Sequence, residues 1–206
     1  MRSLVQDKKN IKWLGVDFGA RLSGTTAVAW QDGQQVRMAQ SLAKQDVDVW
    51  LPALVTEQAP EMVFLDAPLS LPPAYRPELP GMDFMYRACD RELMAMSPMF
   101  LGGLTARAMQ FAHKLAPQGI TCVESYPAAL ARELFGGMPW KKKDKVEEEV
   151  LMAFAERLLK DTGLQVAESP KSTHQVDALL AWYSGWRFQH DQHLCFGDQE
   201  EGFVIV

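Results

Sequence analysis

The sequence predicts an α/β fold with a mixed five-stranded sheet: an antiparallel three-strand meander continued by parallel strands, flanked by helices and interrupted by a helical insertion. Three observations predict it. Three apolar runs each end in an acid, Leu14-Gly15-Val16-Asp17, Met62-Val63-Phe64-Leu65-Asp66 and Ile120-Thr121-Cys122-Val123-Glu124. Asp32-Gly33, a strong hairpin signal because its turn positions take positive φ, joins two β-rich runs. Stretches with helical spacing separate the later strands, which makes their pairing parallel through crossovers.

Residues 1–10 are polar and read as a lead-in. In the first strand, residues 11–17, alternation turns Trp13, Gly15 and Asp17 one way and Leu14 and Val16 the other. Asp17 thus ends the strand beside a glycine, with room for a metal ion or a phosphate; an aspartate opening a hairpin turn is the alternative. Residues 25–31 and 34–40 complete the meander. A helix starts near Asp48, with Pro52 in its first turn and Trp50, Leu51, Leu54 and Val55 as its inner stripe, and Ala59-Pro60 ends it. The strand 62–66 follows, and the crossover predicts its parallel pairing.

Pro68, Pro72, Pro73, Pro77 and Pro80 exclude a helix directly after Asp66 and predict an extended loop over the sheet's carboxyl end. Two helices follow, 83–96 and 104–115, so residues 67–117 form the insertion. Arg87 and Arg91 lie four apart on the first of these, with Asp90 three from Arg87. They read either as a phosphate-binding pair or as part of a solvated, salt-bridged helix. The methionines here, Met82, Met85, Met94, Met96, Met99 and Met109, are core filling or an adaptable binding surface.

Pro127 suits the first position of a helix that ends at Gly136-Gly137. Trp140-Lys141-Lys142-Lys143-Asp144-Lys145 then places four lysines beside a tryptophan. Such a cluster can grip a phosphate backbone while the ring stacks on a base. Glu147-Glu148-Glu149 fits the other reading, a solvated loop leading into a helix N-terminus. That helix carries Val146, Val150, Leu151, Phe154, Leu158 and Leu159 at helical spacing up to Gly163. Ser172 and Gln175 form a capping box that starts the last helix at Thr173. His174 and Asp177 share one face of it. Asp177 is either a fourth functional acid or an aspartate favoured by the helix dipole, and His174 a ligand or a hydrogen-bonded structural histidine. Phe203-Val204-Ile205-Val206 reads as an added edge strand.

The 206 residues, 48% of them apolar, suffice for one domain, 1–206, with a substantial core. No apolar run is long enough for a membrane helix, and residues 1–9 lack the apolar stretch of a signal peptide, so the expected location is cytoplasmic, with no membrane partner. Cys89, Cys122 and Cys195 are odd in number and lack CxxC spacing, which argues against a disulfide framework and a zinc site. A net charge of −5 excludes adhesion to nucleic acid by bulk charge. A nucleic-acid partner would need a local basic patch or metal ions.

In a parallel sheet the carboxyl ends of adjacent strands meet at one crevice. Carboxylates gathered there repel one another, and divalent cations relieve the repulsion. Mg²⁺ and Mn²⁺ prefer oxygen ligands, and a pair of them about 3.5–4 Å apart can activate water and stabilise the leaving oxygen of a phosphodiester. The acids therefore predict hydrolysis of nucleic acid without a nucleophilic side chain.

Leu-Asp-Ala-Pro-Leu-Ser-Leu-Pro at 65–72, Arg-Ala-Cys-Asp-Arg-Glu-Leu at 87–93, Val-Glu-Ser-Tyr-Pro-Ala-Ala at 123–129 and Val-Asp-Ala-Leu-Leu-Ala at 176–181 resemble an uncharacterised family of predicted nucleases with an RNase H-like fold. The resemblance runs from about Trp13 to Val206. It implies that Asp17, Asp66, Glu124 and Asp177 are catalytic and hold Mg²⁺ or Mn²⁺; Arg87, Arg91, His174, Lys141 and Lys142 are the candidates for contacting the substrate. Ala20-Arg21-Leu22-Ser23 departs from the glycine-rich turn expected after the first strand. Two rivals share the fold: an actin-like or sugar-kinase-like phosphotransferase using Asp17-Phe18-Gly19 for ATP, and a non-catalytic binding or assembly module.

Overall fold

A computed structural model describes residues 11–76, 81–141 and 145–206. The lead-in 1–10, Pro77, Pro80 and Lys142 lie outside the described residues. The sheet is built outward from β1 (Trp13–Asp17), whose first four residues are fully or nearly buried. β2 (Ala27–Asp32) pairs with it antiparallel, and β3 (Gln35–Gln40) pairs antiparallel with β2. Asp32 sits opposite Gln35, so the two-residue turn is Gly33-Gln34 rather than Asp32-Gly33, and Gly33 alone takes positive φ, at 61°. Asp32 instead accepts a hydrogen bond from Arg37 Nε at 2.7 Å.

Helix α1 (Val47–Gln58) is capped by the Asp46 carboxylate, which accepts from Asp48 N at 3.0 Å. It starts one residue before the expected Asp48, which moves Pro52 out of the first turn and into the helix interior. Val47, Leu51 and Val55 form its buried stripe, with Trp50 and Leu54 half-buried beside them. The crossover returns the chain to β4 (Met62–Asp66), parallel to β1 and in register from Trp13 opposite Met62 to Asp17 opposite Asp66.

Between β4 and the next strand, the helix predicted over 83–96 shrinks to α2 (Ala88–Glu92). Arg87 stands in front of that helix with its side chain drawn into the interior, and Met94 leaves the helical region at φ 52°. Arg87 and Arg91 therefore do not share a helix face. The short α3 (Pro98–Leu101) and α4 (Gly103–Leu115) follow. β5 (Thr121–Ser125) lies parallel to β4, and α5 (Pro127–Phe135) starts with Pro127 as predicted. α6 (Glu148–Leu159) buries Leu151, Phe154, Leu158 and Leu159. α7 (Thr173–Gln189) starts at its predicted residue, with Ser172 Oγ accepting from Gln175 N at 3.2 Å. Gln175 Oε1 accepts from Lys171 N rather than from the N–H of the cap residue.

Among the described residues the sheet has eight strands, not five, in the order β6-β3-β2-β1-β4-β5-β8-β7. The additions are β6 (Gln165–Val166), beside β3, and the hairpin β7 (Cys195–Asp198) and β8 (Gly202–Ile205). The run at 203–206 is thus not an edge: β8 pairs parallel with β5 and is covered by β7. β6 is too short, and β7 too interrupted by Gly197, to give a strand pattern in the sequence.

Helices cover both faces of the sheet. Leu14, Val16, Leu65 and Val28 pack under α1 and α4, while Trp13 and Phe64 pack under α5, α6 and α7. α7 lies directly along β1. A methyl group on Gly15 would stand 2.0 Å from Trp182 N and 2.4 Å from Ala178 O, and one on Gly185 would stand 2.3 Å from the Trp13 indole nitrogen. The missing side chain of Gly15 lets strand and helix touch backbone to backbone, and that of Gly185 makes room for the Trp13 ring. Trp13 Nε1 donates to Trp182 O at 2.9 Å and fixes this seat. No disulfide joins the cysteines.

Candidate metal centre

Residues opposite one another on parallel strands project from the same face. Asp17 and Asp66 therefore leave the ends of β1 and β4 side by side, on the face that carries α7. The close seat of α7 brings its first turns over these strand ends. His174 Nδ1 lies 2.7 Å from Asp17 Oδ2, and one ligand atom each from Asp17, His174 and Asp177 fall within 4.8 Å of one another. All three are half-buried, so the group is open to a small solute. Asp66 lies opposite Asp17 in the β1–β4 ladder and is not part of this triad; all four residues line one cavity of about 550 Å³ at the carboxyl end of the sheet.

Glu124 has different surroundings. It lies opposite Leu65, one step short of Asp66, so alternation turns its side chain to the other face. There Arg87 Nη2 and Nη1 donate to its two oxygens at 2.6 and 2.7 Å, and Leu69 N donates at 3.0 Å. Arg87 is 1% exposed and also grips Asp90, at 2.6 Å. Burial works against the Arg87 charge, but the hydrogen bonds to Glu124 and Asp90 outweigh it and hold its pKa above the ordinary value. Burial pushes the Glu124 carboxyl up, opposed by the same guanidinium. Glu124 still reaches the cavity wall, as does Asp90.

Neither of the alternatives open for Arg87 in the sequence is met: it is not solvated, and its donors are committed to carboxylates and to Ser70 Oγ at 2.9 Å. Arg91 is at the surface, 2.5 Å from Asp83 and over the Tyr86 ring. Lys141 is exposed beside Trp140 and is not among the residues lining the cavity, whereas Trp140 is. No pattern in the sequence singles out Glu201. Its carboxylate accepts from Ala88 N at 2.8 Å and Cys89 N at 2.9 Å, capping α2 from the β7–β8 hairpin. It sits in a polar Asp-Gln-Glu-Glu-Gly run that reads as an exposed turn.

No family model matches the chain, and no curated protein sequence matches it. The chain is similar to a solved structure of RuvC from Thermus thermophilus, at 14% sequence identity and a TM-score of 0.47, over 88% of this chain and 98% of that one. Among the described residues no helix is long and apolar enough to cross a membrane.

Proposed function

We propose that this protein is a divalent-metal-dependent nuclease with an RNase H-like fold, hydrolysing phosphodiester bonds at the Asp17, Asp66, His174 and Asp177 cluster. One observation carries the reading. The register that sets Asp17 against Asp66 also turns both toward the helix that delivers His174 and Asp177. The meander β3-β2-β1 continued by parallel β4 and β5 fits the fold that the sequence resemblance implies.

The donor set fits Mg²⁺ or Mn²⁺: three carboxylates supply hard oxygen ligands and one imidazole a nitrogen. Asp17, Asp66 and Asp177 would hold the cation, with His174 beside them. Bound there, a divalent cation supplies charge to a phosphoryl oxygen and lowers the pKa of a coordinated water. The Asp17 carboxylate fixes the orientation of the His174 ring through Nδ1, and an imidazole so oriented can hold or move a proton. Glu124 supports the site from behind: bound to Arg87 and Leu69 N, it anchors the loop that follows Asp66.

The phosphotransferase reading has less support. The Gly19 N–H donates to Thr26 Oγ1 at 3.0 Å, and Gly19 O accepts from Arg107 Nη1 at 3.0 Å, so the loop after β1 spends its backbone internally. Cleavage of labelled single-stranded, duplex, hybrid and junction substrates in Mg²⁺ and Mn²⁺ tests the proposal. Asp17→Asn and Asp66→Asn, with folding checked by circular dichroism, should each lose activity by at least about a hundredfold, the scale of removing one charge-stabilising group. Wild-type activity in both variants would reject the metal centre. Tight Mn²⁺ binding without turnover on any substrate would favour a non-catalytic module.

A further inference from the structure

The cavity that holds the acids is lined by two chemically unlike sets of residues. Asp17, Asp66, His174 and Asp177 form one. Met96, Leu101, Leu104, Tyr126, Met138 and Trp140 form the other. Among the described residues lining it there is no lysine or arginine. Its walls offer apolar and aromatic surface within the same enclosure as the carboxylates. Trp140 packs edge-to-face against Phe154, with ring centroids 5.2 Å apart. The volume, about 550 Å³, lies within the range of small-molecule sites.

Resting on the nuclease reading, we propose that the apolar lining of this cavity receives one unstacked nucleobase of the substrate strand, and that the protein therefore acts on single-stranded or locally opened nucleic acid. A phosphodiester at the acids has a base attached through one sugar, within reach of the adjoining wall. In a duplex that base is stacked between neighbours and shows only its edges. To enter a walled cavity it must leave the stack, and an already single strand avoids that cost. Stacking on an aromatic ring accepts any base, so the preference should be for strand structure and not for sequence.

Affinity is measured in Ca²⁺ for single-stranded oligonucleotides carrying one abasic nucleotide at each position in turn. Against the wild-type protein, one position should weaken binding about tenfold or more, the size of one lost base-on-ring contact. Trp140→Ala should bind the intact and the abasic strand alike, with Trp140→Phe restoring the difference. Equal affinity for every abasic position in the wild-type protein overturns the proposal and needs no variant to fold. Metal-dependent cleavage with no such position dependence overturns the base site and leaves the nuclease reading. Position dependence without cleavage on any substrate retains the base site and overturns the nuclease.

Discussion

Asp17 and Glu124 each end an apolar run in the sequence, yet they finish in opposite electrostatic settings. Asp17 meets an imidazole at a half-open cavity, and Glu124 meets a buried guanidinium. Arg87 serves two carboxylates at once, so Arg87→Met would leave Glu124 and Asp90 buried without their counter-charge. The expected loss is about 3–5 kcal/mol, the scale of breaking a buried ion pair by removing one partner, and denaturant unfolding measures it. The exposed pair Arg91–Asp83 differs. Hydrogen bonds from Arg91, and then from Tyr86 N and Met85 N, lower the Asp83 carboxyl from 3.8 to about 2. Because its folded pKa is depressed, its contribution to stability is present above about pH 4 and is lost as pH falls from 3.8 toward 2. An NMR titration should place the Asp83 midpoint near 2, and Arg91→Met should move it back toward 3.8. A midpoint unmoved by that substitution would show that the backbone donors alone set it.

At the scale of elements, the site depends on how closely α7 lies on β1. Gly15→Ala inserts a methyl group where Trp182 N would be 2.0 Å away, and backbone cannot yield as a side-chain tip can. α7 must move, taking His174 and Asp177 with it. Overpacking of this kind costs about 1–3 kcal/mol. Thermal unfolding should show that loss and calorimetry a drop in Mn²⁺ affinity; full affinity retained alongside lowered stability would mean that the seat does not set the donor spacing. Local signals made much of this visible in the sequence. Pro127 marked the start of α5, Ser172 that of α7, and the apolar run 62–66 marked β4 to the residue. The failures are non-local. A one-residue offset between β4 and β5 decides the face of Glu124, and nothing within residues 120–124 encodes it. The helix predicted over 83–96 carries a regular pattern, but Arg87 turns inward to a partner 37 residues away.

For the whole molecule, a ligand that binds only the folded chain stabilises it by mass action. Mn²⁺ at about a hundred times its dissociation constant should add about 2.7 kcal/mol, read as a higher melting temperature that EDTA reverses and Asp17→Asn lacks. The same melting temperature with and without Mn²⁺ would count against any cation site. The extent of the sheet was the least legible feature at this scale. β8 becomes an interior strand only because β7 covers it, and β6 is held by its neighbour rather than by a pattern of its own. The spacing between Asp17 and Asp66 has a different origin: two neighbouring backbones joined by a parallel ladder fix it, whatever the loops beyond them contain. Much of the cavity's greasy wall comes from the segment linking β4 to β5. The anvil and part of the jaws of this tool are thus separate pieces, and exchanging that linking segment for another that keeps Arg87 and its hold on Glu124 would refit part of the grip while leaving the working edge as it stands.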